Sequence, residues 1–167
     1  REWLFKSGRI LSVISLPDFA FRRSGATNKT SILIFEKFSD LESARLNNRL
    51  EACEGDIAAA LMDSGLDYNI FFGEASHIGY TPSGRPDPRN DLYVADENGY
   101  LSNDQTGSIL GEWNVWEENG AVSDPRCVVE RASSVWRSHS SHRVDPKYHV
   151  YVAHKGDYVP QGWSSAP

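Results

Sequence analysis

Arg9–Leu16 (RILSVISL) and Thr30–Phe35 (TSILIF) are two short, nearly continuous apolar runs. The first is closed by Pro17 and the second by Glu36-Lys37. Neither shows the polar alternation of a half-exposed strand, so both are expected to be strands buried on both faces of an α/β sheet. Between them lies DFAFRRSGATNK, 12 residues carrying Gly25, Ser24, Asn28 and three cations. A hairpin needs far fewer, and long loops inside compact domains are where function concentrates.

Outward from this pair, Ser39-Asp40-Leu41-Glu42 has the capping-box pattern that opens a helix. Leu46, Leu50, Cys53, Ile57 and Leu61 then recur at helical spacing, predicting one amphipathic helix that ends near Ser64-Gly65. Tyr68–Phe72 (YNIFF) reads as a third strand, followed closely by His77-Ile78-Gly79-Tyr80. TPSGRPDPRND reads as a turn region. Ile109, Leu110, Trp113 and Trp116 share a helical face that ends at Gly120. Beyond Ala121 the pattern weakens, and QGWSSAP reads as a frayed tail. Ile10, Val13, Ile32 and Ile34 are the expected buried strand positions.

Composition places the chain among ordinary globular proteins: 167 residues, 40% hydrophobic and 24% charged exclude disorder and low complexity. No apolar run approaches the ~18 residues of a membrane span, and a cytoplasmic location without membrane partners is expected. Two cysteines are too few for a disulfide framework or a zinc site. Met62 is the only methionine, and the chain is expected to be a piece of a longer protein. The net charge of −6 is unevenly spread: residues 1–37 carry +4 and the remainder −10. A basic leading segment can face phosphate even in an acidic chain.

Several patterns carry no chemistry. Asp96-Glu97-Asn98-Gly99 would put Val94 where a calcium loop needs its first ligand. His139, His142, His149 and His154 match no zinc spacing. Asn28-Lys29-Thr30 is formally a glycosylation sequon, and in the cytoplasmic location expected here it would go unused. Ser31, Cys53 and the histidines make no nucleophile constellation.

GRILSVISLPDFAFRRSGATNKTSILIFEK closely resembles the late strands of type I restriction–modification methylation subunits, which are adenine-N6 DNA methyltransferases. The features that carry the likeness are Leu16-Pro17 at a strand end, an aromatic at Phe21, a loop containing Gly25, and Lys29-Thr30-Ser31-Ile32-Leu33-Ile34-Phe35. YNIFFGEASHIGYTPSGRPDPRNDL resembles the segment that follows in the same family, so the likeness covers most of residues 8–92 in order. Arg143-Val144-Asp145-Pro146-Lys147-Tyr148 is similar to the lead-in to a recognition region in fused methylase–specificity proteins.

The resemblance implies edge strands of a Rossmann-like methyltransferase sheet with two packing helices, an incomplete α/β domain. Residues 1–92 would be the C-terminal part of the methyltransferase domain. Residues 93–167 would be a helical and loop extension toward a specificity or recognition region. The family's glycine-rich acidic cofactor loop and its Asn-Pro-Pro-aromatic motif do not occur in this sequence. S-adenosylmethionine is therefore implied for the parent protein and not for this chain, which alone is expected to be inactive. DNA is the implied partner, together with a specificity subunit or fused recognition domain. In the family, an aromatic on the loop between the last two strands stacks on the flipped adenine. Phe21 matches it, with Phe19 as competitor, and Arg22, Arg23, Lys29 and Thr30 are the implied DNA contacts. The alternative is a non-catalytic module that binds DNA or a specificity subunit.

Overall fold

The computed structural model describes residues 1–26, 28–138 and 144–154. Along the chain run α1 (Glu2–Ser7), β1 (Gly8–Ser15), a 3-10 turn (Arg22–Ser24), β2 (Ser31–Lys37), α2 (Asp40–Ala52) and α3 (Ile57–Asp63). There follow β3 (Asn69–Glu74), β4 (Ile78–Tyr80), β5 (Pro86–Asn90), α4 (Ile109–Asn119), β6 (Cys127–Arg131), α5 (Ala132–Arg137) and α6 (Pro146–Ala153). This is a mixed α/β fold.

Four strands form one sheet in the order β2-β1-β3-β6, and β4 pairs with β5 in a separate antiparallel ribbon. Phe38 N–H donates to Ser7 O at one end of β1, and Leu16 N–H to Thr30 O at the other, so β2 runs antiparallel to β1. Ala75 N–H reaches Ser15 O while the Tyr68 hydroxyl reaches Gly8 O, the order of a parallel β1–β3 pair. Glu74 N–H to Arg126 O and Ala132 N–H to Tyr68 O make β3–β6 antiparallel. The sheet is mixed, with β3 buried from Ile70 to Glu74 as its unbroken apolar run predicts.

Two compact units divide the chain. The first comprises residues 1–13, 33–71 and 129–144. Its core holds Phe5, Ile10, Phe38, Leu46, Ile57, Leu61, Ile70 and Phe71, all essentially inaccessible. Phe5 meets Trp136 edge-on at 5.3 Å. The capping box forms as expected: Glu42 N–H donates to Ser39 Oγ, and Glu42 Oε2 accepts from Ser39 N–H at 2.9 Å. Arg9 then bridges Glu42 at 2.5 Å and Glu36 at 3.2 Å while lying over the Phe38 ring.

The single helix expected over residues 39–64 is two helices. Glu54 and Gly55 both have positive φ, Gly55 N–H bonds back to Leu50 O, and Asp56 caps α3 by accepting from Ala59 N–H. A glycine closure followed directly by an N-cap ends one helix and begins the next. Leu46, Ile57 and Leu61 of the stripe are buried, while Leu50 and Cys53 are half-buried.

The second unit comprises residues 14–32, 72–128 and 145–167 and contains the long loop after β1. Its core gathers Leu16, Ala20, Phe72, Ala75, Ile109, Cys127 and Val150. His149 is buried and stacked on Phe72 at 4.2 Å, and Lys147 lies 3.8 Å from the inaccessible Glu74 carboxylate. Ser108 caps α4 through Gly111 N–H, and Gly120 closes it in the left-handed conformation. On α4, Ile109 is buried, whereas Trp113 and Trp116 are half-buried and pack edge-on against each other.

Three expectations are corrected. Ile32, Leu33 and Ile34 are 39%, 45% and 42% exposed, because β2 is an edge strand with nothing packed over that stretch among the described residues; Ile10 and Val13 on inner β1 are buried. The turn region after Tyr80 contains β5, whose Pro86 and Pro88 are accommodated in a two-stranded ribbon. The weak pattern beyond Ala121 contains β6, α5 and α6, so more than two helices accompany the sheet. The QGWSSAP tail lies outside the described residues.

Two outcomes follow. A Cβ at Gly8 would stand 2.1 Å from Glu36 O, so Gly8→Ala forces β1 from β2 and is expected to lower stability by about 3 kcal/mol in urea unfolding. The Arg9 guanidinium, then the Ser39 N–H and hydroxyl, hold the Glu42 carboxyl at about 2, below its ordinary 4.5. Its contribution is therefore complete above pH 4.5 and lost as pH falls through about 2. Glu42→Gln is expected to flatten that limb of the stability–pH curve.

Candidate nucleic-acid interface

The loop leaving β1 is shaped by its own backbone. Leu16 N–H to Thr30 O closes its base. Ala20 N–H bonds Pro17 O and Arg22 N–H bonds Phe19 O, turning the chain twice within six residues. The carbonyl of Phe21 then accepts from Ser24 N–H, the Ser24 hydroxyl and Ala26 N–H. Gly25 adopts φ +85°, the left-handed conformation that closes the 3-10 turn. These bonds hold Phe21 at the head of the turn.

The two competing aromatics separate cleanly. Phe19 is half-buried, with its ring edge-on to Tyr80 at 6.2 Å. Phe21 is 48% exposed. The Tyr80 hydroxyl also donates a short hydrogen bond to Ala20 O. The β4–β5 ribbon thus braces the loop at Phe19 and Ala20, the residues just before Phe21. It touches the loop a second time at Gly84, where an added Cβ would stand 2.9 Å from Arg23 Cδ and 3.0 Å from its Nε.

The ribbon is anchored at its open end by Asp91. Its carboxylate accepts from Ser76 N–H at 2.7 Å and His77 N–H at 2.8 Å, and Arg126 donates to it at 2.7 Å. Arg126 is further held by both Asp124 oxygens and by Gly107 O. The Asp124 hydrogen bonds, followed by the charges of Asp124 and Asp91, raise the guanidinium's affinity for its proton against the opposing cost of burial. His77 Nδ1 lies 3.3 Å from the same Asp91 oxygen that takes the two N–H groups.

Of the sequence-predicted contacts, Arg22 and Arg23 are exposed. Neither has a carboxylate partner among the described residues. Lys29 is paired with Asp145, the N-cap of α6, at 3.0 Å. The Thr30 hydroxyl is buried without a hydrogen-bond partner among the described residues. Phe21, Arg22 and Arg23 are therefore presented together, while Lys29 and Thr30 are engaged or enclosed.

Tyr80, Gly84 and Arg85 belong to the same locality and were missed by sequence reasoning, because a stretch dense in proline and glycine reads as a simple turn. The signal that could have found them was Tyr80 itself, an aromatic entering a Thr-Pro-Ser-Gly turn that leaves by Arg85.

The remaining chemistry-bearing residues do not assemble. Asp96 accepts from Asn98 and Tyr100 N–H groups, so its carboxylate closes its own loop. His139 and His142 lie outside the described residues, as does Arg143. Among the described residues no group of three metal-type side chains could hold an ion, and both cysteines are free. No helix among them is long and apolar enough to cross a membrane.

No family model, curated protein or solved structure matches this chain.

Tyr80→Phe removes one hydrogen bond to the loop and is expected to cost about 1 kcal/mol of stability. Amide exchange at Arg22, Ser24 and Gly25 should quicken in the variant, read by mass spectrometry, while exchange in α3 should not change.

Proposed function

We propose that this chain is the target-base and DNA-contacting part of an S-adenosylmethionine-dependent DNA adenine-N6 methyltransferase of a restriction–modification system. The observation that carries the reading is Phe21, an aromatic open to solvent at the head of an internally bonded turn. Beside it stand two arginines that face no carboxylate among the described residues. Methylating a base inside a duplex requires extruding it, at a few kcal/mol. Stacking on one aromatic face returns roughly 1–3 kcal/mol. A ring already fixed and exposed loses little conformational freedom when it takes up the base.

S-adenosylmethionine, when bound, supplies an electrophilic methyl group. The described residues do not fit it: β1 runs into Leu16-Pro17 and a 3-10 turn, not into a glycine-rich turn opening a helix. The cofactor and the groups that polarise the adenine amino nitrogen belong, in this reading, to another segment. The finer Rossmann-like reading assigns β2 to the junction with that segment, where its exposed Ile32, Leu33 and Ile34 would be covered. The same exposed strand favours the second reading, a non-catalytic module that binds DNA or a specificity subunit.

The test uses the full-length methyltransferase, with its target read from methylated adenines in host DNA and 2-aminopurine placed at that adenine. Phe21→Ala is expected to lower both turnover and the fluorescence rise that reports unstacking, with cofactor affinity unchanged. Arg22→Ala with Arg23→Ala should weaken DNA binding irrespective of sequence and flatten its salt dependence. Unchanged fluorescence and turnover in Phe21→Ala would overturn the assignment of Phe21. An intact protein that binds DNA without transferring methyl groups would favour the second reading.

A further inference from the structure

Arg9, Arg89, Arg126, Arg131 and Arg137 each face a carboxylate. Arg22, Arg23, Arg45, Arg49 and Arg85 face none among the described residues, and all five are exposed. Two of these five, Arg23 and Arg85, belong to one turn or pack on it. The Arg23 stem lies directly over Gly84, and Arg85 is the next residue of the same turn.

The turn beneath them is tightly made. Thr81 N–H donates to Arg85 O at 2.8 Å, Gly84 N–H to Thr81 O at 2.8 Å, and Arg85 N–H to Thr81 Oγ1 at 3.1 Å. The hydroxyls of Thr81 and Ser83 are 3.0 Å apart, with Ser83 exposed. Gly84 adopts φ +81°, and the open space above its missing side chain is what Arg23 occupies. A hydrogen-bonded turn that carries an exposed hydroxyl at Ser83 and an exposed arginine at Arg85, with the Arg23 stem packed over Gly84 between them in sequence, has the side-chain chemistry of a phosphate clamp. Guanidinium forks take phosphate oxygens in pairs, and hydroxyls complete the shell.

We propose that Arg23, Ser83 and Arg85 form a backbone-phosphate site for duplex DNA on the β4–β5 turn, a second point of hold beside the Phe21 loop. The inference deepens the DNA-contacting reading above and rests on it. In this arrangement Gly84 is a positioning residue, since any side chain there displaces Arg23. The clamp touches sugar–phosphate only and so reads no sequence; it sets where along the duplex Phe21 meets a base.

The experiment measures binding of this chain to a labelled 20-base-pair duplex across a potassium chloride series. One lost phosphate contact lowers the salt slope by about 0.9. Arg85→Ala is expected to show that decrease together with a several-fold loss of affinity, and Arg85→Lys to keep the slope. Gly84→Ala should reproduce the loss, and combining it with Arg23→Ala should add nothing further. Arg49→Ala, on α2, should behave as the parent. Because Gly84→Ala strains a left-handed position, the two Arg85 variants are decisive, with their folding checked by circular dichroism. If Arg85→Ala binds with unchanged slope while Arg22→Ala with Arg23→Ala weakens binding, the clamp is overturned and the DNA-contacting reading stands. If the unaltered chain shows no salt-dependent duplex binding, both fall.

Discussion

The ion pair between Asp91 and Arg126 fixes what the candidate interface can be. Arg126 immediately precedes β6, and its carbonyl accepts from Glu74 at the end of β3, so it belongs to the margin of the main sheet. Asp91 immediately follows β5, and its other oxygen receives the N–H groups of Ser76 and His77, just before β4. One carboxylate therefore ties both ends of a small ribbon to the last residues of a large sheet. A two-stranded ribbon is marginal by itself. Docked at its root in this way, it becomes stiff enough for Tyr80 and Gly84 to define the position of the loop above. Arg126 keeps Asp124 and Asp91 keeps the two N–H groups when the other is removed, so what such a change loses is the tie between ribbon and sheet more than the neutralisation of a charge.

The chain of support is short and directional: sheet margin to Asp91, Asp91 to ribbon, ribbon to loop, loop to Phe21. Each link uses a different kind of force. The first is a charged hydrogen-bond network, the second backbone pairing, the third an edge-on aromatic contact with one hydroxyl bond, and the last a 3-10 turn closed by Gly25. The series ends at the exposed Phe21 ring. Such an arrangement separates the residues that determine rigidity from the one that would meet a ligand, and substitutions along the series should differ in what they disturb.

Much of the frame was legible in the sequence. The apolar runs became β1 and β3, the capping box opened α2, and Gly120 closed α4. What failed did so for identifiable reasons. An apolar run identifies a strand but not its rank in the sheet, so TSILIF carried no sign that β2 lies outermost. The helical stripe continued through Glu54-Gly55-Asp56 in periodicity while the backbone did not. Prolines at 86 and 88 concealed β5, and short length concealed β6 and α5. Asp145-Pro146 was a readable start for α6, an N-cap followed by proline in the first turn. For the interface, the long loop between strands and its cations were legible from the residues, while Phe21 was singled out only by the family resemblance, with Phe19 as its competitor. Tyr80 and Arg85 lie 59 and 62 positions beyond Phe21 and Arg23, a proximity that only the folded chain supplies.

The outermost strand has a further consequence, in colloidal behaviour. From Ser31 to Phe35, β2 offers an apolar, glycine-free and proline-free stretch with no charge, the composition from which intermolecular cross-β contacts grow. Natural edge strands resist this with inward-pointing charges, bulges or cover. Here the flanking gatekeepers are Lys29 before the stretch and Glu36-Lys37 after it. Lys29 is already committed to Asp145, and Glu36 to Arg9. Lys37 thus carries most of the protection against self-association, and raising ionic strength weakens it. Concentrated salt solutions of the chain are therefore expected to favour aggregates over monomers.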